Sequence, residues 1–258
     1  MSDAFYLPLG GDRFASTKAT VGPWDPRYQH GGPPVALLVR ALERCEPVPD
    51  TLLTRVSAEF IGPVPVAELE VSARVLRGGR RVQLVEAELT AEGSPVMRAR
   101  GWRLRAAEQD GLAAEGGDSP PPLPEWTITG PVPRFEDGYA RALEWRTAGG
   151  SSLEPGPATV WGRLRGSVVD GEAPTPVQRV VAAADSGNGI SWVLDWDRWS
   201  FVNVDLTVHL VRPPRGEWIC LDSRTQVDPA GVALATTTLY DTDGRIGVGA
   251  QSLLVAAR

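Results

Sequence analysis

The chain has 258 residues, 42% of them hydrophobic and 22% charged, with a formal net charge of -6. That length holds one large domain or two of about 100 to 130 residues. The acidic balance excludes a nucleic-acid or anionic-membrane surface, both of which need clustered positive charge, and leaves small neutral or anionic ligands.

In chain order, the N-terminal MSDAFYLPLGGDRF has no basic region followed by an apolar run. Nowhere does the chain approach the ~18 apolar residues of a membrane span, so a cytoplasmic protein is expected. Phe5 to Leu9 and Arg13 to Val21 predict the first strands. In HGGPPVALLVRALER, Val35, Leu38, Val39 and Leu42 fall at i, i+3, i+4 and i+7, the spacing of a helix with one buried face. The alternating segments that follow supply a sheet, closed by a TAEG turn at Gly93. Around EQDGLAAEGGDSPPPLP apolar periodicity gives way to Gly, Pro and Asp, which marks residues 107–133 as a linker between units at 1–106 and 134–258.

Beyond the linker, Tyr139 to Thr147 and Thr159 to Val168 predict strands. Val177, Val180, Val181 and Ala184 then repeat the helical spacing, with Thr175 and Gln178 as a capping box around Pro176. Val202, Val204, Leu206, Val208 and Leu210 alternate with polar residues, which predicts a strand with Asn203, Asp205, Thr207 and His209 on its polar face. A DTDG turn leads into the last strand.

The two halves say nearly the same thing. A shift of 150 residues superposes Pro63 on Pro213, Val82 on Val232 and Leu89 on Leu239, and a one-residue indel then brings Gly93 onto Gly244 and Arg100 onto Gln251. Such a repeat means two copies of one small unit. One apolar helix enclosed by an antiparallel sheet, used twice, predicts an α+β fold of two tandem hotdog domains.

The run QHGGPPVALLVRALE, the block EFIGPVPVAELEVSARVLRGGRRVQLVEAEL, and the series AAADSGNG, NVDLTVHLVRPP and DGRIGVGAQSLLV resemble the tandem-hotdog acyl-CoA thioesterases of type II. The likeness covers the chain outside the linker and rests on the order and spacing of these motifs. It implies hydrolysis of an acyl-CoA thioester to free acid and CoA, with no metal and no cofactor. It further implies that an Asp on the second helix, a hydroxyl residue on the following strand and a Gln on the last strand hold a water. Residue by residue these are Asp185, Asn203 in the hydroxyl position, and Gln251. Asn203 departs from the pattern: it can donate and accept, but it cannot carry an acyl group, so water must attack directly.

Asp185 lies four residues after Val181, on the border of the apolar stripe, and an acid near a helix C-terminus opposes the macrodipole. It reads either as a general base or as a cap on the SGNG turn. Gln251 lies among Gly247, Gly249 and Ala250, where small residues leave room for close approach. His30, Gly31 and Gly32 precede the first helix, whose N-terminal amides favour developing negative charge; Gly32 is the preferred oxyanion donor. His30 and His209 are the only histidines, and neither pairs with a carboxylate at recognisable spacing. No ligand spacing for a metal occurs, and Cys45 and Cys220 read as structural thiols. The WVLDWDRWSF run reads as packing in preference to a ligand channel.

The leading expectation is an acyl-CoA thioesterase with a small-molecule substrate, assembled as a homo-oligomer. A hotdog hydratase or dehydratase would need an Asp-His pair. A non-catalytic acyl-thioester-binding protein is the third reading, kept open by Asn203.

Overall fold

A computed structural model describes residues 3–107, 112, 118–126, 137–150 and 154–258, so most of the expected linker lies outside the described residues. The first half comprises β1 (Tyr6–Gly10), β2 (Arg13–Ser16), α1 (Gly32–Arg44), β3 (Thr51–Phe60), β4 (Glu68–Arg77), β5 (Val82–Ala91) and β6 (Ser94–Arg105). The second comprises α2 (Tyr139–Ala142), β7 (Leu143–Gly149), β8 (Ala158–Leu164), α3 (Pro176–Ala184), α4 (Gly187–Ile190), β9 (Trp199–Asn203), β10 (Asp205–Leu210), β11 (Trp218–Asp228), β12 (Val232–Asp241) and β13 (Gly244–Ala257). All these strands form one antiparallel sheet, ordered β1-β2-β4-β5-β6-β3-β10-β13-β12-β11-β8-β7, with β9 on β13.

The halves join where β3 pairs with β10, at Ser57↔Thr207 and neighbouring positions. The start of the chain reaches across as well: the N–H groups of Phe5 and Tyr6 donate to Ser167 O and Val168 O at 2.9 and 3.0 Å. Residues 32–39 of α1 are all buried, because the sheet covers one side of the helix and α3 the other. Burying side chains such as Leu37 and Leu38 contributes about 1.5–3 kcal/mol each. α3 is set by the expected capping box: Thr175 Oγ1 accepts from the Gln178 N–H at 3.2 Å, and the Thr175 N–H donates to Gln178 Oε1 at 3.4 Å. Residues of both halves belong to one continuous apolar core. Among the described residues no helix is long and apolar enough to cross a membrane.

Several boundaries differ from expectation. The strand predicted for Arg13 to Val21 ends at Ser16, because Thr17 Oγ1 accepts from the Ala19 N–H and starts a 3-10 turn. The one predicted from Tyr139 begins with the helical turn α2, entered through Gly138 at φ 61°, and becomes extended only at Leu143. The one predicted for Thr159 to Val168 runs from Ala158 to Leu164, after which the chain leaves the sheet to meet Phe5 and Tyr6.

The internal alignment also needs correction. Both hairpins close at the same point, Ala91↔Ser94 and Asp241↔Gly244, and both slip register just after Leu89 and Leu239. The shift of 150 therefore runs through the turns without an indel. The structural counterpart of Gln251 is Gly101, not Arg100: Gln251 pairs with Ala235 as Gly101 pairs with Val85. Matching the turn glycines misled the sequence alignment by one residue, whereas the hydrogen-bond ladder fixes register.

Candidate active site

Asp185 ends α3, directly after its last helical residue, and is 2% exposed. The helix stripe that buries Val177, Val180 and Val181 carries it inward, towards the start of α1. There the chain enters α1 through Gly31 and Gly32, and the absence of side chains permits the approach. A Cβ on Gly31 would lie 2.7 Å from Asp185 Oδ2, and one on Gly32 would lie 2.4 Å from Ala182 O.

Asn203 reaches the same carboxylate because a strand does not run straight. β10 pairs with β13 at Thr207↔Ala250, but β9 pairs at Asn203↔Leu253, a slip of one residue around Val204. A one-residue slip reverses which side chains face inward. Val202 and Val204 are exposed and Phe201 is buried, contrary to the unbroken alternation expected, so Asn203 leaves the polar face predicted for it. Its Nδ2 donates to Asp185 Oδ1 at 2.8 Å. Gln251 Nε2 donates to Asp185 Oδ1 at 3.2 Å and to the Asp185 main-chain oxygen at 3.1 Å, while Gln251 Oε1 accepts from the Asn188 N–H at 3.1 Å. Gln251 thus satisfies backbone groups at the end of α3. Arg103 does the same in the first half, donating to Leu42 O, Cys45 O and Glu46 O at the end of α1.

His30 completes the cluster. Its Nδ1 lies 3.1 Å from Asp185 Oδ2, a pairing with a carboxylate that spacing along the chain does not show. The contact joins residues 155 positions apart in the chain, so no local spacing could announce it. The His30 ring stacks on Tyr139 at 3.7 Å between centroids and 8° between planes. Tyr139 in turn donates to Ala182 O at 2.6 Å and lies 2.8 Å from Ser186 Oγ. Nothing in the sequence near Tyr139 singled it out; its inward turn at α2 does.

Burial dominates the electrostatics. Desolvation raises the Asp185 carboxyl from 3.8 to about 7, against the lowering effect of hydrogen bonds from Asn203, Gln251 and the backbone of Gly32 and Gly31. It lowers His30 from 6.5 to about 3, so the imidazole is neutral. Tyr139 is pushed above its ordinary value, and its phenol stays protonated.

A cavity of 370 Å³ opens beside this cluster, lined among others by His30, Asp185, Asn203, Trp24, Phe60 and Trp196. Gly31 lines it too, whereas Gly32 and Gln251 stand behind the wall. The amide of Gly32 points at His30 Nδ1, 3.1 Å away, so the donor preferred for an oxyanion is engaged within the protein. Trp196 packs on Trp24 and Phe201 with centroids 4.8 and 4.4 Å away, serving both as packing and as cavity wall. Trp192 and Trp199 pack around that cluster. Among the described residues no three His, Cys, Asp or Glu side chains gather in a group able to hold a metal ion.

Residues 20–104 match the family model described as the acyl-CoA thioesterase N-terminal domain, and residues 113–255 match the one described as the acyl-CoA thioesterase C-terminal domain. No curated protein matches the chain. Among solved structures, a conserved protein of unknown function with hot dog fold from Alicyclobacillus acidocaldarius is similar over 99% of this chain and 97% of its own, at 19% identity and a TM-score of 0.73. The tesB protein of Mycobacterium avium subspecies paratuberculosis is similar over 97% of this chain and 95% of its own, at 16% identity and a TM-score of 0.69. The acyl-CoA thioesterase II TesB2 of Mycobacterium marinum is similar over 98% and 95%, at 14% identity and a TM-score of 0.64. At these identities the likeness is one of fold, and the fold is the hotdog.

Proposed function

The chain belongs to the acyl-CoA thioesterase family, and from that premise we propose that it hydrolyses an acyl-CoA thioester to a carboxylic acid and CoA by direct attack of water at the Asp185 cluster. The observation that carries this reading is a buried carboxylate, bound by Asn203 and Gln251, beside a cavity large enough for a substrate arm. A thioester carbonyl needs a proton acceptor for the attacking water and hydrogen-bond donors for the developing oxyanion. The Asp185 cluster supplies the first. With the Gly32 amide engaged by His30 Nδ1, Gly31, which lines the cavity next to the positive end of the α1 dipole, is the backbone nearest to a developing oxyanion. Asn203 serves as a donor to the carboxylate and carries no acyl group, so no covalent enzyme intermediate forms there. The chemistry requires neither metal nor cofactor.

In this reading the architecture is a tandem pair of hotdog units, 1–106 and 134–258, joined by 107–133, and the site lies between them. His30 and Gly31 come from the first unit and Asp185, Asn203 and Gln251 from the second, so neither unit acts alone. The reading extends to a cytoplasmic homo-oligomer acting on a small-molecule acyl-CoA.

Thiol release from a panel of acyl-CoA substrates, run beside folded Asp185→Asn, tests the proposal. Release by the parent protein and its loss in the variant are expected; equal rates would remove Asp185 from the chemistry. The His30–Asp185 contact favours one second reading, hydration of an enoyl-CoA, since an acid-base pair is what that reaction needs. Hydration of a crotonyl-type thioester without thiol release would establish it instead.

A further inference from the structure

The hydrolytic reading leaves open which atom meets the substrate's water, and the hydrogen bonds around Asp185 bear on it. A carboxylate offers about four lone-pair directions. Oδ1 receives both Asn203 Nδ2 at 2.8 Å and Gln251 Nε2 at 3.2 Å. Oδ2 faces His30 Nδ1 at 3.1 Å, with the backbone of Gly31 and Gly32 beside the carboxylate. With its side chain 3% exposed and Oδ1 taken by two amides, Asp185 offers a water little access. His30 offers more. Its side chain is 15% exposed and lines the cavity, its ring is held against Tyr139, and among the described residues Nε2 has no hydrogen-bond partner.

Resting on the hydrolytic reading, we propose that His30, oriented by Asp185, is the group that exchanges protons with water and substrate. Asp185 Oδ2 accepts from Nδ1–H, which leaves the Nε2 lone pair facing the reaction. As the water oxygen bonds to the thioester carbon, its proton passes to Nε2 and the carbonyl electron pair moves onto oxygen. The carbonyl then re-forms, the C–S bond breaks with its electron pair on sulfur, and Nε2–H protonates that sulfur. One water is consumed, the acid and the thiol leave, and His30 returns to its starting state. Asp185 is then a positioning residue that also stabilises the transient imidazolium, the logic of an Asp-His pair in a hydrolase. The other ionisable groups near the pair are the Tyr139 phenol, stacked on the imidazole, and Asp25 and Tyr28, which line the same cavity; Asn203 meets only the main-chain oxygen of Asp205, whose carboxylate accepts from the Ser252 N–H.

A competing contact makes the proposal testable without turnover. The Gly32 N–H also points at Nδ1, and if that bond rules, the proton sits on Nε2 and His30 cannot act as a base. Long-range proton-nitrogen spectra of the full-length protein, above the pH at which Asp185 ionises, separate the two tautomers. His209, the only other histidine, is assigned through His209→Gln. An Nδ1–H tautomer is expected in the parent protein and an Nε2–H tautomer in Asp185→Asn; Nε2–H in the parent overturns the proposal. In the second arm, His30→Asn should reduce thiol release by about 10²- to 10⁴-fold, the usual contribution of a general base, with an unchanged melting temperature. Release within twofold of the parent by that variant equally overturns it. A parent protein with the Nδ1–H tautomer that releases no thiol from any acyl-CoA would sink the hydrolytic reading and leave the pair standing.

Discussion

Asp185 and Glu43 occupy matching ends of an antiparallel helix pair, each acid closing on the other helix's N-terminus. The shift of 142 residues that brings Val35 onto Val177 brings Glu43 onto Asp185. Glu43 accepts from Thr175 Oγ1 and Gln178 Nε2, both at 2.8 Å, at the start of α3, while Asp185 meets His30 and Gly31 at the start of α1. The surroundings differ. Where the second half places Asn203 and Gln251, the first has Leu53 and Gly101, and Leu53 and Leu42 fill the space: a Cβ on Gly101 would lie 2.5 and 3.2 Å from their Cδ1 atoms.

Glu43 should therefore hold helices together without taking part in the reaction. Glu43→Gln is expected to change kcat for thiol release by less than about twofold and to cost about 1 kcal/mol in urea unfolding, through one altered partner of the α3 cap. A loss of activity as deep as that of Asp185→Asn would mean the first half contributes a second acid.

The pH dependence of stability should depend on the His30–Asp185 pair acting as a unit. Between about pH 4 and 6.5 the unfolded chain holds one proton on this pair, on histidine, and the folded protein also holds one, on the aspartic acid, so the pair adds no slope. Asp185→Asn leaves only a histidine with a depressed pKa. The unfolded state then binds more protons than the folded one, and stability rises with pH through this window. His30→Gln leaves only an acid with a raised pKa, the folded state binds more protons, and stability falls as pH rises towards about 7. Urea melts at about pH 4 and about pH 6.5 should give slopes of opposite sign in the two variants. Slopes of the same sign would show that burial does not shift the two groups in opposite directions.

Gly32 sets the distance between α1 and α3. Gly32→Ala drives a methyl group to 2.4 Å from the main-chain oxygen of Ala182, which cannot swing aside, and should destabilise the protein by about 1–3 kcal/mol. Gly189→Ala, in an open position with nothing within 4 Å, is the control and should move the urea midpoint little. Equal midpoints for the two variants would show that the helices part easily.

Gln251→Leu strands the Asn188 N–H and the Asp185 carbonyl in a buried place, at a cost of about 1–3 kcal/mol. It also removes a hydrogen bond that holds the Asp185 pKa down, so the acid limb of the pH-rate profile should move to higher pH. A profile that shifts to lower pH, or not at all, would exclude Gln251 from control of the carboxylate.

The sequence alone determined the two apolar helices, the capping box at Thr175, the ladder segments and the duplication, because each is written in local periodicity or in a fixed offset along the chain. It also pointed to Asp185, Asn203, Gln251, His30, Gly31 and Gly32, through their place in a run of motifs. Only the tertiary structure decided how these residues meet. The slip at Val204 turns Asn203 inward, the hairpin ladder matches Gln251 to Gly101, and the antiparallel approach of α1 to α3 brings His30 to Asp185. Each depends on register or on packing between distant segments. Side-chain order along one strand or helix cannot encode a one-residue shift in its partner, so the chemistry of the site emerged only with the three-dimensional fold.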